Sequence, residues 1–163
     1  MRLKPGFTLI ELLVVIMILG ILAVLISGNF FTSLKKGRDA RRKADLEQTQ
    51  RALEMYYEDK RAYPTQAAGN GFVFNSEFSD SGKIYMKKVP NDPVSGKDYK
   101  YVYDSTNDGY KLYACLENTQ QVLPYSSVLT PEGGFTCLTN CFAQDGATPI
   151  SCIWGISSPN ISP

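Results

Sequence analysis

An α+β fold, with a long N-terminal helix laid on a small antiparallel β-sheet, is what this chain of 163 residues predicts. Three observations carry that expectation. An apolar run from Phe7 to Ser27, charged only at Glu11, continues without a proline into a stretch of helical composition reaching Ala62. Two aromatic-rich alternating segments, Tyr99 to Tyr103 and Tyr110 to Leu116, flank Asn107-Asp108-Gly109, a hairpin turn signal. The four cysteines, Cys115, Cys137, Cys141 and Cys152, all lie at or beyond the second of these segments.

The first six residues form a short basic leader ending at Gly6, and the apolar run begins at once with Phe7. About 20 helical residues, rising 1.5 Å each, cross the ~30 Å hydrocarbon core of a bilayer. Hydropathy alone fits either a single-pass anchor or a cleaved secretory signal. The signal reading fails because the run exceeds the usual apolar length, Glu11 interrupts it, and no small-x-small cleavage site follows. The junction that looks cleavable precedes the run, at Gly6–Phe7, where a small residue lets the backbone enter a protease site. Cleavage there retains the apolar segment as a new N-terminus. A carboxylate within the bilayer costs roughly 2.5–3.5 kcal/mol, so Glu11 is expected to have a partner and a function rather than merely to snorkel to the interface.

Residues 34 to 62 continue the helix, rich in Leu, Ala, Lys, Arg, Glu and Gln with Gly37 as the one breaker. Leu46, Thr49, Gln50, Leu53, Tyr56 and Tyr57 fall on one face. Its half-polar character suggests a stripe under a small sheet rather than a deep core. Lys35–Asp39, Asp39–Lys43 and Arg41–Asp45 are attractive pairs four residues apart. Tyr63-Pro64 stops the helix, because a residue before proline is pushed out of the α region. A single helix from Phe7 to Ala62 would be ~85 Å long, so lipid or copies of itself must bury its apolar first half. Gly20 and Gly28 are its weak points.

Residues 65 to 82 read as a loop, Ile84 to Val89 as a short element ended by Pro90-Asn91-Asp92-Pro93, and the chain from Asn118 as a loop-like tail with a last strand at Cys152 to Ile156. Asp104, Asn107 and Asp108 invite comparison with a calcium loop, but their spacing is not that of an EF-hand and a turn suffices. The cysteines fit two disulfides, a metal site or free thiols. Cys-x3-Cys without histidine is poor zinc spacing, so a disulfide framework is favoured, with the connectivity open among three pairings.

Seventeen basic and sixteen acidic residues leave a net charge of +1, which requires no nucleic-acid partner. Lys35, Lys36, Arg38, Arg41, Arg42 and Lys43 crowd the stretch after the apolar run and read as a solvated helix face. By the positive-inside rule that cluster belongs in the cytoplasm. Histidine is absent, which excludes Ser-His-Asp and Cys-His catalysis, and no phosphate-binding glycine loop or metal cluster is present. The chain is expected to be no enzyme and to hold no cofactor or metal.

Gly6-Phe7-Thr8-Leu9-Ile10-Glu11 resembles the N-terminus of type IV prepilins and the related pseudopilins without a substitution. Farther on, Tyr63-Pro64, the segment Lys87 to Pro93 and the Tyr101-Val102-Tyr103 strand resemble the major pseudopilin of type II secretion. The resemblance runs to about Asn118 and implies prepilin-peptidase cleavage between Gly6 and Phe7, N-methylation of Phe7, and pairing of Glu11 with the Phe7 amine of a neighbouring subunit. Implied partners are identical or related subunits, the peptidase, an assembly platform, and membrane lipid before assembly. The orientation it demands places the head outside, against the positive-inside rule; the cysteines also favour an oxidising exterior.

The resulting organisation is a leader (1–6), a membrane and assembly helix (7–28), a helical stem (29–63) and a cysteine-bridged head (64–163). Type II major pseudopilins end in an acidic calcium-binding loop, whereas this tail runs through Cys137, Cys141 and Cys152 with only Glu132 and Asp145 as acids. That departure favours a type IV pilus subunit, with a type II secretion pseudopilin or a competence or adhesive pilin as the alternatives. The expected location is the inner membrane, then an extracellular pilus or a periplasmic pseudopilus.

Overall fold

The computed structural model describes residues 6–65, 72–125, 129, 131 and 135–163. Leader residues 1–5, positions 66–71 of the predicted loop and Glu132 lie outside the described residues. The chain divides into two compact units, Met1–Lys35 and Lys36–Pro163.

One helix, α1 (Leu9–Lys60), contributes to both units and runs through Gly20 and Gly28. Helix-favouring residues fill it and no proline interrupts it. It ends at Lys60 because Arg61 turns into the left-handed region, at φ 55°, while its amide still donates to the Tyr57 carbonyl at 2.7 Å. The stop thus comes two residues before the sequence-predicted limit of Ala62.

In the second unit the strands are β1 (Phe78–Asp80), β2 (Lys83–Met86), β3 (Lys100–Asp104), β4 (Gly109–Cys115), β5 (Asn140–Phe142), β6 (Pro149–Ser151) and β7 (Ile153–Ser157). These strands pair antiparallel, β1 with β2, β3–β4–β7 in that order, and β5 with β6, while Val122 makes an isolated parallel bridge to Phe142. Tyr103 pairs with Tyr110 and Asp104 with Gly109 around the predicted turn. There Asp104 accepts from the amides of Thr106 and Asn107, which closes the turn.

Two-residue alternation sorts the central sheet. Tyr101, Tyr110, Leu112 and Ala114 pack with Leu46, Ala52, Leu53 and Tyr56 of α1. Val102, Tyr113 and Ile153 cluster on the other face with Leu129, Phe135 and Cys137. Leu46, Thr49 and Leu53 are at most 1% exposed, so the helix stripe forms a deep core, contrary to the shallow one expected. The polar members of the stripe are accommodated because Thr49 donates to the Asp45 carbonyl and Gln50 to that of Ser157.

The tail is more ordered than the loop the sequence suggested. β5 and β6 form a hairpin above a third cluster of Leu116, Leu123, Cys141, Ala143, Ile150 and Cys152. Phe78 likewise turns part of the predicted 65–82 loop into β1, because its ring is fully buried against Tyr56 and Tyr85. Both elements are three residues long, too short for an alternation pattern to reveal.

Candidate assembly site

The N-terminal unit holds the expected assembly residues in an open setting. Gly6 and Phe7 are exposed, Phe7 at 84%. Thr8 caps α1: its carbonyl accepts the Leu12 amide at 3.4 Å, and its hydroxyl accepts the Glu11 amide at 3.4 Å. Glu11 reaches back, Oε2 accepting from the Thr8 amide at 2.9 Å and the Thr8 hydroxyl at 2.6 Å. This reciprocal arrangement is a capping box, in which the third helical residue returns to the cap. The carboxylate therefore has a partner inside its own chain, while Oε1 meets no donor among the described residues. Thr8 was missed as a site residue, although the Thr-x-x-Glu spacing ahead of an apolar run is its signature.

Behind this cap, Leu9–Ile26 has a mean hydropathy of 3.2 and no buried residue, and it is long and apolar enough to cross a membrane. Among the described residues of its own unit nothing covers it, and an exposed apolar surface of this size calls for another apolar phase.

In the second unit, the basic stretch is only in part the solvated face expected of it: Lys36 and Arg41 are exposed, but one cation is not. Arg42 is fully buried. Its Nε and Nη2 donate to the two oxygens of Asp92 at 2.6 and 2.8 Å, its Nη1 to Asp39 at 2.8 Å, and Nη2 again to Glu117 at 2.6 Å. Arg38 takes the other oxygen of Glu117. Asp39 accepts from the amides of Glu117 and Asn118 and from the Gln121 side chain, all within 3.1 Å. Asp92 also accepts the Val94 amide at 2.8 Å.

The helix is thereby locked to the Pro90–Pro93 turn and to the segment after β4. Burial opposes the charge on Arg42, but hydrogen bonds to Asp92 and Glu117 outweigh it and hold the guanidinium protonated above its usual range. The Arg38 hydrogen bond, opposed by burial and joined by Arg42, depresses the Glu117 carboxyl to about 2.

Arg41 meets Asp45 at 3.9 Å as expected, whereas Asp39 pairs with Arg42. Lys43 donates to Gln121 at 2.8 Å and lies 4.3 Å from the centre of the Trp154 ring. Sequence spacing marks Asp39 and Arg42 as helical neighbours, but their acidic partners come from positions 50 and 75 residues beyond Arg42.

Two disulfides tie the tail down, Cys115 to Cys137 and Cys141 to Cys152. The first links the end of β4 to the tail, and the second links β5 to the residue before β7. Among the described residues no group of three or more acidic, histidine or cysteine side chains could hold a metal ion.

The family model for the type II secretion system protein G matches residues 29–121, more than half of the chain, and that for the prokaryotic N-terminal methylation motif matches residues 1–27. The chain belongs to the type II secretion system protein G family. It is 34% identical over 121 residues to the type II secretion system core protein G of Pseudomonas aeruginosa, covering 69% of this chain and 83% of that protein. The namesake of Vibrio cholerae is 34% identical over 107 residues, covering 63% of this chain and 73% of its own length. That of Escherichia coli K12 is 32% identical over 117 residues, covering 67% and 79% respectively. No solved structure matches.

The protein G match takes in α1 from residue 29, the whole Arg42 lock and strands β1 to β4. It stops short of the β5–β6 hairpin, β7 and three of the four cysteines. The part of the head that departs from the family model is thus the part held by disulfides.

Proposed function

We propose that this chain is a structural subunit of a type II secretion pseudopilus rather than of a type IV pilus. The family match carries this reading, since the relatives over most of the chain are core proteins G of that system. The pilus interpretation rested on the tail, and a disulfide-braced tail on a protein G core is compatible with either filament. The protein performs no catalysis; its work is mechanical.

In this reading prepilin peptidase cuts between Gly6 and Phe7 and the new Phe7 amine is methylated. The helix Leu9–Ile26 rests in the inner membrane with the head on the periplasmic side, then slides into a bundle of like helices. There Glu11 meets the Phe7 amine of a neighbour. Opposite charges in a low-dielectric bundle neutralise one another, and a subunit in the wrong register leaves one of them unpaired. The free Oε1 of Glu11 can accept that amine while Oε2 keeps the Thr8 cap. Assembly then need not uncap the helix.

The deciding experiment is replacement of the host's core pseudopilin gene by a null allele, followed by assays of secretion and surface pili. Loss of exported substrate with pili intact supports this reading. Loss of surface pili with secretion intact overturns it. Mass analysis should show the membrane form beginning at methylated Phe7.

A further inference from the structure

The apolar character of α1 does not stop at Ile26. Phe30, Phe31 and Leu34 are 54%, 70% and 44% exposed, and Lys35 next to them is exposed as well. At 100° per residue these four side chains fall on one face ~140° wide, with Thr32 and Ser33 on the remainder. The two phenyl rings meet edge to face at 6.0 Å. Among the described residues of the N-terminal unit nothing covers them.

Distance along the helix identifies what does. The midpoint of Leu9–Ile26 lies between Met17 and Ile18. From there, at 1.5 Å per residue, Phe30 and Phe31 stand ~19–20 Å away and Lys35 ~26 Å away. Half of the hydrocarbon core is ~15 Å, and half of the bilayer with its headgroups is ~20–22 Å. Helical side chains lean toward the N-terminus, so the rings lie at the glycerol and carbonyl level, and the lysine stem reaches back to the phosphates. The order along the axis is aliphatic, aromatic, then cationic. A bilayer presents the same order from its centre to its surface, and a neighbouring helix has no need of it.

We propose that Phe30, Phe31, Leu34 and Lys35 form an interfacial collar that binds the phospholipid headgroup layer and sets the depth of the unassembled subunit. The proposal rests on the reading that Leu9–Ile26 spans the membrane. The rings fill the boundary between chains and headgroups, and Lys35 holds a lipid phosphate. Pulling the subunit into a filament must strip this collar from lipid.

Tryptophan depth measurement on the full chain in phospholipid vesicles tests it. Trp154→Phe supplies a background without native tryptophan; the indole nitrogen has no hydrogen-bond partner among the described residues, so none is lost. Phe31→Trp and Ile18→Trp are then compared with quenchers placed on the headgroup or deep in the acyl chain. The collar predicts at least ~2-fold stronger headgroup than chain quenching at position 31, and the reverse at position 18.

Lys35→Glu, which repels phosphate, should move the ratio at position 31 toward unity. Deep quenching at 18 with none from the headgroup at 31 overturns the collar and leaves the span standing. So does protection at 31 that grows with the protein-to-lipid ratio, which marks a second copy as the occupant. Failure of deep quenching at position 18 instead removes the spanning reading itself.

Discussion

Arg42 and Asp92, fifty residues apart, grip each other through two hydrogen bonds of 2.6 and 2.8 Å with both side chains buried. The planar guanidinium matches the carboxylate edge to edge, a fit that lysine's single ammonium does not reproduce.

Removing Asp92 leaves a buried cation without its main partner. Asp92→Ala is expected to destabilise the head by about 3–5 kcal/mol, and Arg42→Met by more, because it leaves the carboxylates of Asp92, Asp39 and Glu117 without the cation they share, whereas Asp92→Ala leaves Arg42 bonded to Asp39 and Glu117. Urea unfolding of both variants compares them directly. Equal losses would mean that the lock is ordinary packing.

Glu117 makes stability depend on acid. Its carboxyl titrates at 4.5 in the unfolded reference and at about 2 in the head, chiefly through Arg38, against burial and with help from Arg42. A depressed folded value favours folding above pH 4.5, and that contribution disappears as pH falls through about 2. The gap in denaturation midpoint between wild type and Glu117→Gln should therefore be widest at neutral pH and close across that window. A gap independent of pH would contradict the assignment.

The bridges close loops with sequence separations of 22 and 11 residues. Each is expected to contribute about 3 kcal/mol through restriction of the unfolded chain. Replacing Cys141 and Cys152 together by serine should lower the unfolding temperature while sparing the Arg42 lock. Non-reducing peptide mapping should return Cys115–Cys137 and Cys141–Cys152, and any other pairing refutes the tail topology.

Glu11 carries two roles that substitutions separate. Glu11→Gln keeps an oxygen for the Thr8 cap and loses the charge, whereas Glu11→Ala loses both. Charge pairing in the filament predicts that both variants stay in the membrane and assemble poorly, read as the ratio of sheared filament to membrane-pool subunit. Thr8→Val should weaken the helix start by about 1 kcal/mol, with the carboxylate still present. Normal filaments from Glu11→Gln would show that only the cap matters.

The long helix and the Tyr99–Leu116 hairpin were legible because each repeats its own period over many residues. Phe7 to Ser27 needs only its composition, and the hairpin adds Asn-Asp-Gly as punctuation. The three-residue strands β1, β5 and β6 are specified by tertiary packing of Phe78, Cys141 and Ile150, which no local pattern records. Arg42 shows the same limit. Beside Arg41 and Lys43 it reads as one more surface cation, and only Asp92 and Glu117, brought up by the fold, make it an interior residue. The Thr8 cap differs, since its Thr-x-x-Glu spacing is local and stands in the sequence itself.

The burial of Arg42 also bears on which way the chain faces. In the nascent polypeptide six cations follow the apolar run, and by charge counting they should hold this segment in the cytoplasm. Once the head has formed, Arg38 and Arg42 are committed to Glu117, Asp39 and Asp92, and Lys43 lies against Trp154. The topological signal belongs to the unfolded chain and fades as the domain closes. If the head lies on the periplasmic side, as the proposed function has it, retreat across the bilayer would require these pairs to be broken first, so folding would act as a bolt that slides shut behind it.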